Sequence, residues 1–166
     1  MIIYLAGYIP KGDEEAKTFD NWRARYQQVL EQAFDATFID PEAEHPDEGD
    51  AMSVVGSDSK HIQSSDLVVV YAEEQLGVGT SQEMVIAKYF KKPVITVLPK
   101  DTFHRRSNIM FNGTAIDDWV HPFIRVFSDF VVESVNDILA LRDNITSVAV
   151  KDISIIDEAI ARNKSL

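Results

Sequence analysis

The stretch Asp66–Ala87, reading DLVVVYAEEQLGVGTSQEMVIA, decides how the chain folds. Leu67 to Tyr71 is a β-branched run flanked by polar residues, the pattern of a strand buried on both faces. Gly77 to Gly79 then forms a turn, and Met84, Ala87, Lys88 and Phe90 place a helix from about Thr80 to Lys91. This order brings backbone N–H groups of the turn and of the helix start to one edge, where they suit an anionic or hydroxyl-rich ligand. Gly77, Gly79, Thr80 and Ser81 line that edge, and Glu83 follows them on the helix as the candidate reactive group. As a dinucleotide fingerprint the segment fails, because the third glycine of GxGxxG is missing and the turn follows the third predicted strand instead of the first. No nicotinamide cofactor, and no other cofactor, is expected.

Working outward, Ile2 to Gly7 is a short apolar run that ends in glycine, an opening strand that hands over to a loop. Phe19, Trp22, Tyr26, Val29, Leu30 and Ala33 recur at three- and four-residue steps, which predicts one amphipathic helix from about Asp13 to Ala33. Thr37 to Asp40 is a brief second strand. The acidic, proline-containing PEAEHPDEGD that follows is predicted to be a mobile surface loop, and Ala51 to Gln63 a helix. Pro93 to Leu98 forms the fourth strand. Residues 99–118 are polar with two turn signals and are predicted to hold a functional loop, followed by a short helix around Trp119 to Phe127. Phe130 to Glu133 supplies a fifth strand, and Val135 to Asp143 and Ile153 to Asn163 read as closing helices, the first capped by Ser134.

Five apolar strands separated by helices predict an α/β fold, a flavodoxin/Rossmann-like three-layer sandwich with a five-stranded parallel sheet and right-handed crossovers. In such sheets ligands bind beyond the C-terminal strand ends. Gly7, the loop from Glu73 to Gly79 and the loop from Pro99 to Asn112 all fall on that edge.

With 166 residues, 45% of them hydrophobic, one domain spanning 1–166 is expected. The absence of cysteine excludes disulfides and thiolate chemistry. MIIYLAGYIP lacks a basic leader and a long apolar run, and no stretch approaches the length of a membrane helix, so a soluble, cytoplasmic protein is expected. A formal net charge of -11 disfavours nucleic acid polymers as partners. His45, His61 and His121 lack neighbours at metal-ligand spacing, and no metal is expected.

Several separated motifs resemble the nucleoside 2-deoxyribosyltransferase family, including its nucleoside 5′-monophosphate N-glycosidase relatives. IYLAG (Ile3 to Gly7) is similar to the family's first strand and puts Tyr4 at its active-site tyrosine. DSKHIQSSDLVVVY (Asp58 to Tyr71) is similar to its helix and third strand, with Asp58 at the active-site aspartate. GTSQEMVIA (Gly79 to Ala87) resembles the glycine-threonine loop and the helix that carries the glutamate nucleophile, here Glu83. The likeness covers roughly residues 1 to 100. It implies a homo-oligomer in which a neighbour completes the pocket, and the apolar segment from Trp119 to Phe127 would serve as an interface. Two positions depart from the pattern: Gly77 stands where the transferases often carry an aspartate for the sugar 5′-hydroxyl, and Val85 where glycine is usual.

The chemistry is coherent without the resemblance. Cleavage of an N-glycosidic bond builds positive charge on the sugar, which a close carboxylate such as Glu83 can stabilise or capture covalently. The departing base needs a proton, which a second carboxyl group such as Asp58 can supply, and Tyr4 would orient Glu83. The acceptor would be another base or water. The basic run HRRSN, comprising His104, Arg105, Arg106, Ser107 and Asn108, lies at the ligand edge with Lys11; arginine forks there, with Gly77 in place of an aspartate, suit a nucleoside 5′-monophosphate. Asp117, Asp118 and Trp119 read as a helix start with an aromatic anchor. Two other functions fit the same pocket, a nucleotide-binding or sensing module without catalysis and an NAD-type glycohydrolase.

Overall fold

The computed structural model describes residues 1–41, 49–145 and 147–163. In chain order the elements are β1 (Ile2–Ala6), α1 (Asp13–Ala16), α2 (Trp22–Leu30), β2 (Thr37–Ile39), α3 (Ala51–Ser64), β3 (Leu67–Tyr71), α4 (Val78–Tyr89), β4 (Val94–Val97), β5 (Arg105–Phe111), β6 (Thr114–Val120), α5 (Pro122–Phe127), β7 (Phe130–Val132), a 3-10 helix (Val135–Leu141), α6 (Arg142–Ile145) and α7 (Ile155–Arg162). Five strands form one parallel sheet in the order β2-β1-β3-β4-β7, so the chain winds outward in both directions from β1 and β3.

Alternate residues of the central strands serve opposite cores, as the two-residue period of a strand requires. Ile3, Leu5, Leu67, Val69, Ile95 and Val97 face a cluster that includes Trp22, Tyr26 and Leu30 from α2 and Val135 and Ile138 from the 3-10 helix. Tyr4, Ala6, Val68, Val70 and Val94 face a second cluster with Ile62 from α3, Met84 and Ala87 from α4, and Ile124 and Phe127 from α5. Both faces are covered, which is why these strands read as unbroken apolar runs. Tyr4 therefore points toward the layer that contains α3 and α4.

Four predicted elements are corrected. The single helix expected over residues 13–33 is broken into α1 and α2, because Asn21 caps a new helix by accepting from the Ala24 N–H at 3.1 Å. The loop expected over residues 99–118 contains a β-hairpin, with Asn112 and Gly113 at φ 48 and 81 forming its turn. Both central residues take left-handed backbone, as a type I′ turn needs, and Asn-Gly is the pair that best tolerates it. Trp119 accordingly lies in β6, and the helix after it starts only at Pro122. The closing segment from Val135 is a 3-10 helix passing into α6; Ser134 caps it as expected, its N–H donating to Asp137 Oδ2 at 2.8 Å. Most of the predicted acidic loop, with His45, falls at 42–48, outside the described residues.

One buried ion pair ties the sheet edge together. Lys88 on α4 meets Asp129 with both side chains excluded from solvent, and Asp129 also accepts the N–H groups of Val94 at 2.7 Å and Lys151 at 2.9 Å. Lys151 in turn donates to Ser128 O at 2.5 Å, so the segment that leads into α7 is anchored to the end of α5.

Candidate active site

Glu83 and Tyr4 meet at the centre of the sheet. Glu83 sits in the second turn of α4 and is 7% exposed; Tyr4, from the middle of β1, is fully buried and donates its hydroxyl to Glu83 Oε1 at 2.5 Å. Burial pushes the Glu83 carboxyl up to about 7, with the Asp58 charge adding to the rise; hydrogen bonds from Tyr4 and Thr80 and the charge of Arg23 oppose it. Burial and the neighbouring Glu83 and Asp58 charges hold the Tyr4 phenol far above its ordinary range, so it remains a donor. Asp58, in the middle of α3, thus belongs to the same electrostatic cluster. The His61 ring, one turn along α3, lies 6.4 Å from that of Tyr4.

The glycine turn shapes the approach to this cluster. Gly77 is the N-cap of α4 and Gly79 lies in its first turn; a Cβ built on Gly79 would meet nothing within 4 Å. Space over a helix N-terminus with free N–H groups is suited to polar or anionic groups. Thr80 is buried beside Glu83, whereas the Ser81 hydroxyl donates back to Val78 O at 2.7 Å. Gly7 answers a different need, since a Cβ there would come within 2.5 Å of Trp22 Cζ2 and 2.9 Å of Tyr71 Cβ. Its small size lets Trp22 stack on Tyr71, with centroids 4.7 Å apart, under the exit of β1.

The basic run divides among different tasks. His104 accepts the Leu76 N–H at Nε2 over 3.0 Å and so holds the segment just before the glycine turn; burial and neighbouring His121 lower its basicity. Arg105, expected as a ligand contact, is engaged within the hairpin and at the end of β4. Its fork is taken by Asp118, at 2.7 and 2.8 Å, and its third nitrogen by Leu98 O at 2.9 Å, because the hairpin turns the side chain inward against β6. Arg106 donates to Thr102 O and stays exposed, as do Asn108 on β5 and Lys11. Asp118, expected at a helix start, lies instead on β6, and the fork of this arginine holds its carboxyl below the usual range. Among the described residues no group of three or more His, Asp or Glu side chains could hold a metal ion, and no helix is long and apolar enough to cross a membrane.

Sequence reasoning missed Arg23 and Glu73. Arg23 is fully buried on α2 and donates to the carbonyls of Leu5, Gly7 and Tyr8, at 3.2 to 3.4 Å. A signal was present, because Arg23 stands three residues before Tyr26 and seven before Leu30, on the buried face of its helix. Glu73, just beyond β3, takes Arg25 at 3.1 and 3.2 Å and the Tyr26 hydroxyl at 2.8 Å, fastening the loop before the glycine turn onto α2.

No family model matches the chain, and comparison with curated proteins finds no match. Among solved structures, a CMP N-glycosidase, BcmB, from Clostridium botulinum is 15% identical, with a TM-score of 0.45, over 86% of this chain and 99% of the other. A 2-desoxiribosyltransferase from Leishmania mexicana is 17% identical, with a TM-score of 0.52, over 86% of this chain and 97% of the other. With its five parallel strands and flanking helices, the chain has the fold of that Leishmania mexicana structure.

Proposed function

We propose that the protein cleaves the N-glycosidic bond of a nucleoside or nucleoside 5′-monophosphate, with Glu83 as nucleophile. The observation that carries this is the Tyr4–Glu83 hydrogen bond at the centre of the sheet, with Asp58 close enough to perturb both groups. An ionised Glu83 attacks the anomeric carbon as the bond to the base breaks, giving a glycosyl ester and a departing base that takes its proton from Asp58. Water or a second base, deprotonated by Asp58, then attacks the same carbon and releases Glu83, so that the sugar keeps its configuration. Tyr4 fixes the carboxylate oxygen it touches and leaves the other for the sugar.

Glu83 must lose its proton to act, and burial places that loss near neutrality. The rate is therefore expected to rise with pH through about 7. For the far end of the sugar, the free N–H groups of α4, with Gly77, Gly79, Thr80 and Ser81 around them, favour a 5′-hydroxyl or phosphate. Lys11, Arg106 and Asn108 are exposed and able to turn toward a phosphate, and His104 shapes the site through Leu76. The activity for which the Leishmania mexicana fold neighbour is named, that of a 2-desoxiribosyltransferase, is consistent with this chemistry. A second copy of the chain is proposed to cover part of the site, in keeping with the exposed apolar side chains of Met52, Val55, Tyr89 and Phe123.

The test is incubation of purified protein with a panel of nucleosides and their 5′-monophosphates, with and without a second base, followed by chromatography of the bases. Base release without an added acceptor would mark hydrolysis, and a new nucleoside would mark transfer. Glu83→Ala should abolish both. Inertness of the wild type across the panel, or full activity of Glu83→Ala, would overturn the assignment; tight nucleotide binding without turnover would identify a sensing module.

A further inference from the structure

We propose that His104 is a positioning residue for this site: its imidazole, at the start of the β5–β6 hairpin, ties down the chain just before the glycine turn and so fixes the N–H groups that receive the far end of the sugar, a role that rests on the glycosidic-bond reading above. His104 Nε2 accepts the Leu76 N–H at 3.0 Å. Leu76 immediately precedes Gly77, the N-cap of α4, whose carbonyl accepts the Ser81 N–H at 3.1 Å. The other end of the same loop is fastened from α2, where Glu73 takes Arg25 and the Tyr26 hydroxyl. A loop held at both ends by different elements presents its donors in one arrangement, so that binding does not have to order it.

The imidazole is itself firmly seated. The His104 carbonyl accepts the His121 N–H at 2.9 Å, and the ring stands edge-on to Phe103 and His121, with centroids 4.8 and 5.6 Å away. The next residue, Arg105, is pinned by Asp118 and the Leu98 carbonyl. With Nε2 as acceptor the ring proton sits on Nδ1, which is buried and meets no hydrogen-bond partner among the described residues. Leaving that donor unsatisfied costs at least as much as one hydrogen bond contributes, and water could serve the Leu76 N–H in its half-buried loop. The contact therefore adds little to stability; its effect is to set where Leu76 and Gly77 lie. Burial and the neighbouring His121 lower the basicity of the ring, which keeps Nε2 free to accept. Glu83 does not depend on this tether, because α4 is seated by Met84 and Ala87 in the core. Loss of the tether should accordingly be felt in binding more than in the chemical step.

Two substitutions isolate the contact. His104→Gln sets a neutral acceptor near the position of Nε2, and His104→Leu keeps similar bulk with no acceptor. Thermal melting establishes folding, and kcat and KM are measured on the nucleoside or nucleotide of the panel that releases its base fastest. For His104→Leu KM should rise roughly fivefold to tenfold, the worth of one lost hydrogen bond, with kcat changed by less than about twofold. His104→Gln should restore KM to within about twofold of wild type. A folded His104→Leu with wild-type KM, a loss confined to kcat, or a His104→Gln no better than His104→Leu would overturn the role. Should His104→Leu fail to fold, His104→Met takes its place with the same expectation. Proton–nitrogen NMR of the imidazole and hydrogen exchange of the Leu76 amide read the tether without turnover. The Nδ1–H tautomer is expected, with a Leu76 amide protected in wild type and His104→Gln and exchanging markedly faster in His104→Leu. The opposite tautomer, or equal exchange in the three proteins, would overturn the proposal. An inactive wild type would overturn the glycosidic reading, while tautomer and exchange would still decide whether His104 holds the loop.

Discussion

Replacing Glu83 by glutamine is expected to remove a pH dependence from the stability of the fold. Glu83 is 7% exposed, and burial lifts its carboxyl from the ordinary 4.5 to about 7 in the folded chain. Its contribution to stability is therefore fully present below pH 4.5, where both states are protonated, and is lost as the pH rises toward 7, because the unfolded chain ionises first. The separation of the two values corresponds to about 3 kcal/mol lost between about pH 4.5 and 8. Glutamine keeps the acceptor for Tyr4 and has nothing to ionise. Urea unfolding of wild type and Glu83→Gln, followed by tryptophan fluorescence, should give stabilities that diverge by that amount in favour of the variant. In urea this is a midpoint difference of roughly 1–3 M. A difference that stays constant over the range would refute the claim that the folded protein holds Glu83 as a weak acid, and with it the expected pH dependence of the reaction.

Arg105→Ala should destabilise the fold by roughly 1–3 kcal/mol, the cost of stranding a charged acceptor and the Leu98 carbonyl, discounted because Asp118 is 40% exposed; it should leave the ratio of KM values for nucleotide and nucleoside unchanged. Thermal melting and a two-substrate comparison check both halves. Gly7→Ala drives a methyl group into Trp22 and Tyr71 and should cost about 1–3 kcal/mol, visible as a lower urea midpoint with an unchanged slope. Asp129→Ala, which leaves Lys88 buried and unpaired, should cost about 3–5 kcal/mol, whereas Lys88→Met combined with Asp129→Asn should recover most of that loss. Chemical denaturation of the three proteins tests the pair.

Much of the sheet was legible from the chain. Strands buried on both faces carry their signature locally, so β1, β3 and β4 were readable within a residue or two from apolar runs alone. The β5–β6 hairpin was not, although Asn112-Gly113 announced its turn, because its strands are largely exposed and mix polar with apolar residues. Tyr4, Asp58 and Glu83 were nominated by motif, and their meeting follows from the topology: β1 and β3 are neighbours, and α3 and α4 cover the face toward which Tyr4 points.

What the sequence by itself determined is the five parallel strands and the loops that gather at one sheet edge, since these depend on short-range periodicity and on glycine. The tertiary structure alone decided where the charges go. Arg105 pairs with Asp118, thirteen residues away on the facing strand. Arg23, one of two arginines in α2, is buried against the carbonyls of Leu5, Gly7 and Tyr8, whereas Arg25 two residues on pairs with Glu73. The physical reason is that a charged side chain has no local period to declare its partner. Its energy is set by burial and by whichever opposite charge or carbonyl the packed fold brings within a few ångströms.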